Sequence, residues 1–380
     1  MIWFLFAVLA LLFFIYPYVI YPVILSLLPK KQIAIQSGEA VGVLKIALLF
    51  CAYNEEEVLP EKIENLSEIK TLLPEIQIYA YSDCSTDKTN EMLNSTCELL
   101  TPVISGVRTG KVVGMKKLVG MTDADILICT DANVICDPGG IKLLVNYFTD
   151  PGIGSVACTL HYIKAKDNHS DTEIARVGRF YWQMEEKIKK LESETGSMMG
   201  ADGSLFAVRR QYYPDLPSHL VDDMGASLSP LFSGARCISA PDVHAYEWSV
   251  GSSTEEFERK KRIACGSYST FRYLKSQILT LDWLDRFKFF SHKTMRWWGA
   301  YYLVLASVFL LIGGWQIGYP GMIALLLIGF VLLIWIAGRI GLPGFAAIYE
   351  ILRAILATAF GVAESLHGKK YQKWTPAKTR

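Results

Sequence analysis

The chain has 380 residues, 51% of them hydrophobic, and a formal charge of +1 from 38 basic and 37 acidic side chains. A near-neutral chain of this length has room for one catalytic domain plus membrane segments, and it lacks the basic excess of a nucleic-acid-binding protein. Its eight cysteines form no C-x-x-C pair and fall mostly in or beside predicted strands. They are expected as small buried hydrophobes in a reducing compartment, not as zinc ligands or disulfides.

Met1–Leu28 carries no charged residue. As a helix it would run about 42 Å against a hydrocarbon core of about 30 Å, which predicts one generous membrane span. No basic n-region precedes it and no A-x-A site follows, so a cleaved leader is not expected. Lys30 and Lys31 then mark the cytoplasmic side.

From Lys45 onward, short apolar runs alternate with helical patterns. Lys45–Phe50, Ile76–Tyr81, Ile126–Thr130 and Ser155–Leu160 read as strands buried on both faces. Glu57–Ser67, Thr86–Leu99 and Ile141–Phe148 read as helices between them. This alternation predicts an α/β domain on a mostly parallel mixed sheet, with ligands bound outside the carboxyl ends of the strands.

Three loops at that edge are acidic. They hold Glu55 and Glu56 after the first strand, Asp83 and Asp87 after the second, and Asp131 after the Ile126–Thr130 strand. Helix capping accounts for one residue per loop, Thr86 or Asp87 among them. It does not account for acids at three adjacent strand ends, which would repel unless a cation joined them. Asp123 and Asp125 also spell D-x-D but precede their strand, so they are expected in a solvated turn at the opposite edge. Gly106–Val112 superficially suggests a P-loop, but its glycines are too close and no Ser or Thr follows Lys111. A kinase or ATPase is therefore disfavoured.

Arg176–Leu191 reads as an amphipathic helix whose Tyr181 and Trp182 are core or a sugar platform. Glu255–Arg262 reads as a solvated, charged helix face, and Leu274–Phe290 as a helix along the cytoplasmic interface. Trp297–Ile312 and Tyr319–Ala337 form a predicted membrane hairpin. Its connection has no Lys or Arg, whereas Arg286, Lys288, Lys293, Arg296 and Arg339 flank it, which predicts a cytoplasmic catalytic domain. Phe345–Leu366 is apolar but contains Glu350, Arg353 and Glu364 and precedes a basic tail. Its sequence is compatible with a third span or with a re-entrant or interfacial segment.

Taken in order, these motifs resemble those of the membrane-bound family 2 glycosyltransferases of the GT-A fold, the cellulose-, chitin- and hyaluronan-synthase-like enzymes. The likeness runs from about Lys45 to Tyr268. CAYNEE at Cys51–Glu56 is similar to the opening loop, which implies that Ala52, Tyr53 and Glu55 border the nucleotide. YSDCSTDKT is similar to the D-G-S-x-D loop and implies that Asp83 holds the base, with Cys84 where Gly is usual. RTGK at Arg108–Lys111 is similar to a segment that implies a donor-site role for Lys111, although Lys116 replaces a following Asn. TDANV at Thr130–Val134 resembles the metal loop, with Asp131 and Asn133 as implied ligands of Mg²⁺ or Mn²⁺. GADGSLFAVRR at Gly200–Arg210 resembles the acceptor strand, implying acceptor contacts for Asp202 and Gly203. VDDMGASL at Val221–Leu228 resembles the E-D-x-x-L helix start, which implies Asp223 as catalytic base and places Asp222 on the acceptor side. RKKRI at Arg259–Ile263 stands where processive members carry Q-x-x-R-W: Arg262 keeps the phosphate-binding cation, while the Gln and Trp are absent.

The resemblance implies an inverting transfer from a nucleotide-diphosphate sugar, a UDP-sugar being expected, to a polysaccharide, oligosaccharide or glycolipid. Two alternatives are a polyprenyl-phosphate or lipid-linked sugar transferase and an inactive nucleotide-sugar-binding scaffold. Expected partners are donor, acceptor, the lipid bilayer and other polysaccharide-biosynthesis subunits, with no nucleic acid. The expected layout is an anchor at 1–29, a cytoplasmic GT-A domain at 30–273, an interfacial helix at 274–293, a membrane region at 294–368 and a basic tail at 369–380, in a multi-pass protein of the inner cell membrane.

Overall fold

A computed structural model describes residues 1–33, 44–163, 173–248, 253–342 and 344–373, with side chains from residue 180 in one helix and 254 in another. The last seven residues, including Lys378 and Arg380 of the predicted tail, lie outside the described residues.

Eight strands form one sheet in the order β3-β2-β1-β4-β7-β6-β8-β5. They are β1 (Ile46–Ala52), β2 (Gln77–Ser82), β3 (Thr101–Ile104), β4 (Ile126–Asp131), β5 (Val134–Cys136), β6 (Ile153–Ile163), β7 (Leu205–Arg209) and β8 (Arg236–Trp248). The β1–β2, β2–β3, β1–β4 and β6–β8 pairs are parallel, and β7 runs antiparallel between β4 and β6. This is the expected mostly parallel mixed α/β sheet. β1 is buried along its whole length, which is why it reads as an unbroken apolar run rather than an alternating one.

Helices α3 (Leu59–Leu72), α4 (Thr89–Ser95), α5 (Lys111–Gly120) and α6 (Pro138–Asn146) connect the first strands. α7 (Glu173–Glu194), α8 (Asp222–Leu228) and α9 (Ser253–Thr280) complete the domain. One apolar core lies on each face of the sheet. The first joins Leu48, Phe50, Leu66 and Ile128, and the second joins Leu49, Met115, Phe206 and Leu228.

The N-terminal apolar run is broken. α1 (Ile2–Ile15) and α2 (Ile20–Leu27) meet at 60°, so the run expected as one span is a bent pair of helices. Leu274–Phe290 is not one helix either: its first part ends α9, and α10 (Trp283–Phe289) follows after a break. A π-helical turn at Phe290–Thr294 and the short α11 (Met295–Trp297) lead into α12 (Gly299–Gln316), α13 (Pro320–Arg339) and α14 (Phe345–Leu366). α12, α13 and α14 are each long and apolar enough to cross a membrane, and the bent pair would make a fourth span.

α14 packs along α9. A Cβ on Gly361 would lie 2.3 Å from the Lys261 carbonyl oxygen and 2.9 Å from the Cys265 amide nitrogen, so the two backbones nearly touch. The segment after α14 returns to the catalytic domain, where the Cys265 thiol donates to the Lys369 carbonyl at 3.6 Å.

The membrane-proximal helices are tied to the domain by a buried polar cluster. His292 lies between two carboxylates of α7, with Nε2 2.9 Å from Glu185 and Nδ1 2.9 Å from Glu192. Tyr21 of α2 donates to Glu192 at 2.5 Å, and Arg296 pairs with Glu185. Burial works against the Glu185 charge, but Arg296 and His292 outweigh it and hold the carboxyl well below the usual range.

Candidate active site

The strand register builds the site. Cys51 lies beside Asp131, and Ala52 beside Ser82. β7 enters antiparallel with Leu205 opposite Thr130, so Gly203 and Ser204 arrive at the same edge. The three acidic loops therefore converge as expected. Asp123 and Asp125 lie at the other end of β4, where Asp125 accepts from the Lys45 amide at 2.9 Å and Asp123 pairs with the exposed Lys45 side chain.

The first two loops are stitched together. Asn54 N donates to Ser85 Oγ at 3.1 Å, Glu55 N to Thr89 Oγ1 at 2.8 Å, and Thr86 N to Asn54 Oδ1 at 2.8 Å. Asp87 accepts from Thr89 N at 3.0 Å, as a helix-start acceptor does, and from Glu56 N at 3.1 Å. Cys84, where glycine is usual, takes the left-handed conformation with φ of 62°. The backbone that favours glycine is kept by a residue for which it is strained.

Asp83 is fully buried and faces the 108–110 loop. Its carboxylate accepts from Arg108 Nε at 3.1 Å, Thr109 N at 2.6 Å, Thr109 Oγ1 at 3.1 Å and Gly110 N at 3.0 Å. The Arg108 guanidinium lies 3.2 Å from the Tyr53 ring centroid. Tyr53, Asp83 and Arg108 thus form one wall. Gly110 has φ of +91°, and a Cβ there would lie 2.0 Å from the Gln372 carbonyl oxygen, so the chain beyond α14 crosses this wall.

Lys111 opens α5 and stands in the middle of the acidic edge. Its Nζ is 2.6 Å from Asp131 Oδ1 and 3.8 Å from Asp222 Oδ2. Burial works to depress its pKa, but Asp131, Asp222 and Asp223 hold it well above the usual lysine range. Asp223 is pushed up to about 7 by burial first and then by Asp222, with Lys111 opposing. Neither aspartate caps α8: the cap position is Val221, and Asp223 accepts from the adjacent Met224 amide at 2.5 Å. Gly203 packs against both charges, since a Cβ there would lie 2.7 Å from Asp223 Oδ2 and 3.4 Å from Lys111 Nζ.

Arg262 joins Lys111 and Asp222 around a cavity of about 170 Å³, with Tyr371, Gln372 and Lys373 on its far side. Two predicted residues are engaged by neighbouring side chains. Asp202 is held by Lys189 at 2.8 Å and by Ser204. Asn133 donates to Glu247 Oε1 at 3.2 Å.

Glu247, Lys189 and Arg259, to which the sequence motifs assign no role, stand beside these residues. Glu247 lies on β8, and burial, opposed by Arg259 and reinforced by Asp131, brings its pKa to about 7. Arg259, read as part of a solvated face, pairs with Glu256 at 2.9 Å. It is turned toward Tyr162 and Glu247, which contribute to its high pKa. The helical spacing of Arg259 and Arg262 was the available signal that both face inward.

Among the described residues no three His, Cys, Asp or Glu side chains converge to hold a metal by themselves. The donor set is nevertheless hard oxygen. Asp131 is 39% exposed at its side chain, and burial and then Asp131 raise the neighbouring Glu55 to about 8. Such a set fits Mg²⁺ or Mn²⁺, which take one or two carboxylates and complete their shell with phosphate oxygens and water.

The profile of the family described as "Glycosyl transferase family 2" matches residues 48–216. The chain carries a family 2 glycosyltransferase domain. The match begins within β1 and extends past β7, so it contains Tyr53, Asp83, Lys111, Asp131 and Gly203. No curated protein sequence matches the chain significantly. Among solved structures, the chain is similar to the mannosyltransferase PcManGT from Pyrobaculum calidifontis in complex with GDP-Man and Mn²⁺, at 18% identity and a TM-score of 0.71, covering 96% of this chain and 99% of that one. At this identity the likeness speaks for the fold, here including the apolar helices. It is also similar to glucosyl-3-phosphoglycerate synthase from Mycobacterium tuberculosis in complex with phosphoglyceric acid, at 16% identity and a TM-score of 0.41, covering 60% of this chain and 83% of that one.

Proposed function

We propose that this glycosyltransferase moves a sugar from a nucleoside-diphosphate sugar to a saccharide or glycolipid acceptor at the membrane, with inversion at the anomeric carbon. The observation that carries this reading is the grouping of Lys111, Asp131, Asp222, Asp223 and Arg262 around one strand edge. Cations and a metal-competent carboxylate are what a diphosphate leaving group requires, and a carboxylate of raised pKa is what an acceptor hydroxyl requires.

Tyr53 and Arg108 border the base, with Asp83 fixing Arg108 and the 109–110 backbone. Asp131, with Asn133 and Glu247 beside it, would hold Mg²⁺ or Mn²⁺, and the ion would neutralise charge on the diphosphate. Lys111 and Arg262 bind the phosphate oxygens. Asp223 accepts the hydroxyl proton as the acceptor oxygen attacks. Asp222 and burial keep Asp223 basic enough for this role near neutral pH. One base on the face opposite the leaving group implies a single displacement, and hence inversion. The solved mannosyltransferase complex holds GDP-Man and Mn²⁺, which supports the donor class and the metal without fixing the sugar or base of this chain.

The catalytic domain is read as cytoplasmic, from the basic flanks of α12 and α13. α14 is read as lying along the membrane face of the domain, supported by its contact with α9 and by the return of Lys369 to Cys265. That placement favours an acceptor presented at membrane level, a polyprenyl-phosphate or glycolipid carrier included. A panel of labelled nucleotide sugars, incubated with the detergent-solubilised full chain and membrane lipid extract, tests the reading. A labelled lipid or saccharide product with inverted configuration is expected. A product that keeps the donor's configuration would remove the single-displacement assignment.

A further inference from the structure

Lys62 lies on α3, outside the acidic edge, and is fully buried. Its ammonium donates to the Val134 carbonyl at 2.6 Å and reaches Thr130 Oγ1 at 3.4 Å and Cys136 Sγ at 3.9 Å. These partners are a carbonyl, a hydroxyl and a thiol, with no carboxylate among them. One turn on, Asn65 is also buried. It donates to the Cys136 carbonyl at 2.7 Å and accepts from the Cys136 amide at 2.9 Å. Two polar side chains at i and i+3 on one helix face therefore grip both ends of the turn that carries Asp131, Ala132 and Asn133.

A buried lysine is a poor choice for packing alone, because a Met or Leu fills the same space without desolvating a charge. Burial lowers the Lys62 pKa, while Cys136 and Asp131 act the other way. The cation thus sits behind the metal-loop carboxylate, on the side away from the cavity. It is distinct from Lys111, which approaches Asp131 from the front.

We infer that Lys62, with Asn65, is a positioning residue that holds the Asp131–Asn133 turn in the geometry required by a divalent cation and the donor diphosphate. The inference rests on the donor-site reading given above. Partners that orient a metal ligand typically account for 10–100-fold in metal affinity.

The test uses the full chain in detergent and two readouts. Free Mn²⁺ is followed by electron paramagnetic resonance during titration, with UDP and with GDP in turn. Wild type is expected to bind Mn²⁺ in the presence of at least one of them. Lys62→Met and the milder Asn65→Ser are each expected to weaken that binding about tenfold or more. In an Asp131→Ala background, Lys62→Met is expected to have no further effect, because Lys62 acts through Asp131. In metal-free protein, amide exchange at Asn133–Cys136 is expected to quicken in both variants. Unchanged Mn²⁺ affinity and unchanged exchange in Asn65→Ser and in a folded Lys62 variant overturn the inference and leave the donor-site reading standing. Wild type that binds no Mn²⁺ with either nucleotide overturns both.

Discussion

Lys111 Nζ lies 2.6 Å from Asp131 Oδ1, so the cation that opens α5 already sits against the metal-loop carboxylate at the end of β4. This pair draws Asp222 and Asp223 into the same cluster, and it explains how four charged groups share one strand edge. On the proposed donor-site reading, the same ammonium would turn from carboxylate to phosphate when a diphosphate and a divalent ion bind.

Lys111→Met should therefore lower turnover by about a hundredfold, the usual scale for losing one preorganised charge at a leaving group. Without the ammonium, the carboxylate cluster loses its opposing charge, and the Asp223 pKa should rise further above about 7. The pH–rate profile of residual activity, shifted toward alkali, would record this.

Asp223→Asn should remove about two to four orders of magnitude of turnover while leaving α8 folded. In wild type, kcat/KM should climb with pH and level off above about 7, where Asp223 is ionised. Stability should run the other way. The folded-state pKa is raised above the unfolded value of about 3.9, so this group's contribution is fully present in acid and lost as pH rises through about 7. The difference in thermal midpoint between wild type and variant, followed from pH 4 to 8, checks the sign.

Gly203→Ala places a methyl 2.7 Å from Asp223 Oδ2. The base must move, so kcat should fall at least tenfold. KM for the donor should change less than kcat, because Lys111 Nζ lies at the longer distance of 3.4 Å and Tyr53 and Asp83 lie elsewhere. Steady-state kinetics with varied donor separates the two effects.

His292→Ala should destabilise the junction between the domain and its apolar helices by about 3–5 kcal/mol, the cost of leaving a buried charge unpaired. Glu185 and Glu192 are both held below the usual glutamate range, burial opposing and His292 and Arg296 among the groups prevailing. Their stabilisation is present at neutral pH and lost as pH falls below about 4. The deficit of the variant should accordingly shrink in acid. Thermal unfolding in detergent at several pH values measures it.

The fold was readable where packing wrote directly onto the sequence. β1 and β4 are buried on both faces along nearly their whole length, β2 and β6 over most of theirs, and all four appear as largely apolar runs. β3 is four residues with exposed ends and β5 is three residues, too short to leave a period. β8 mixes buried and exposed positions over its length, and Glu247 was overlooked with it. The acidic edge was legible because strand ends carry the ligands of an α/β sheet. The role of Lys62 was not, since its partners Val134 and Cys136 are about 70 residues away and a lysine on a helix ordinarily faces water. Charge counts suggested one membrane span from Met1 to Leu28; the bend between α1 and α2 arises around Tyr16–Val19, where Pro17 interrupts the helix.

The most direct test of the donor-site assignment is nucleoside-diphosphate release from a panel of nucleotide sugars by the full chain, with Mn²⁺ and with chelator, for wild type, Asp131→Ala and Asp223→Asn. Mn²⁺-dependent release from at least one donor by wild type is predicted, with a loss of at least a hundredfold in each variant. Equal release by wild type and both variants would contradict the assignment, as would release that continues undiminished in chelator.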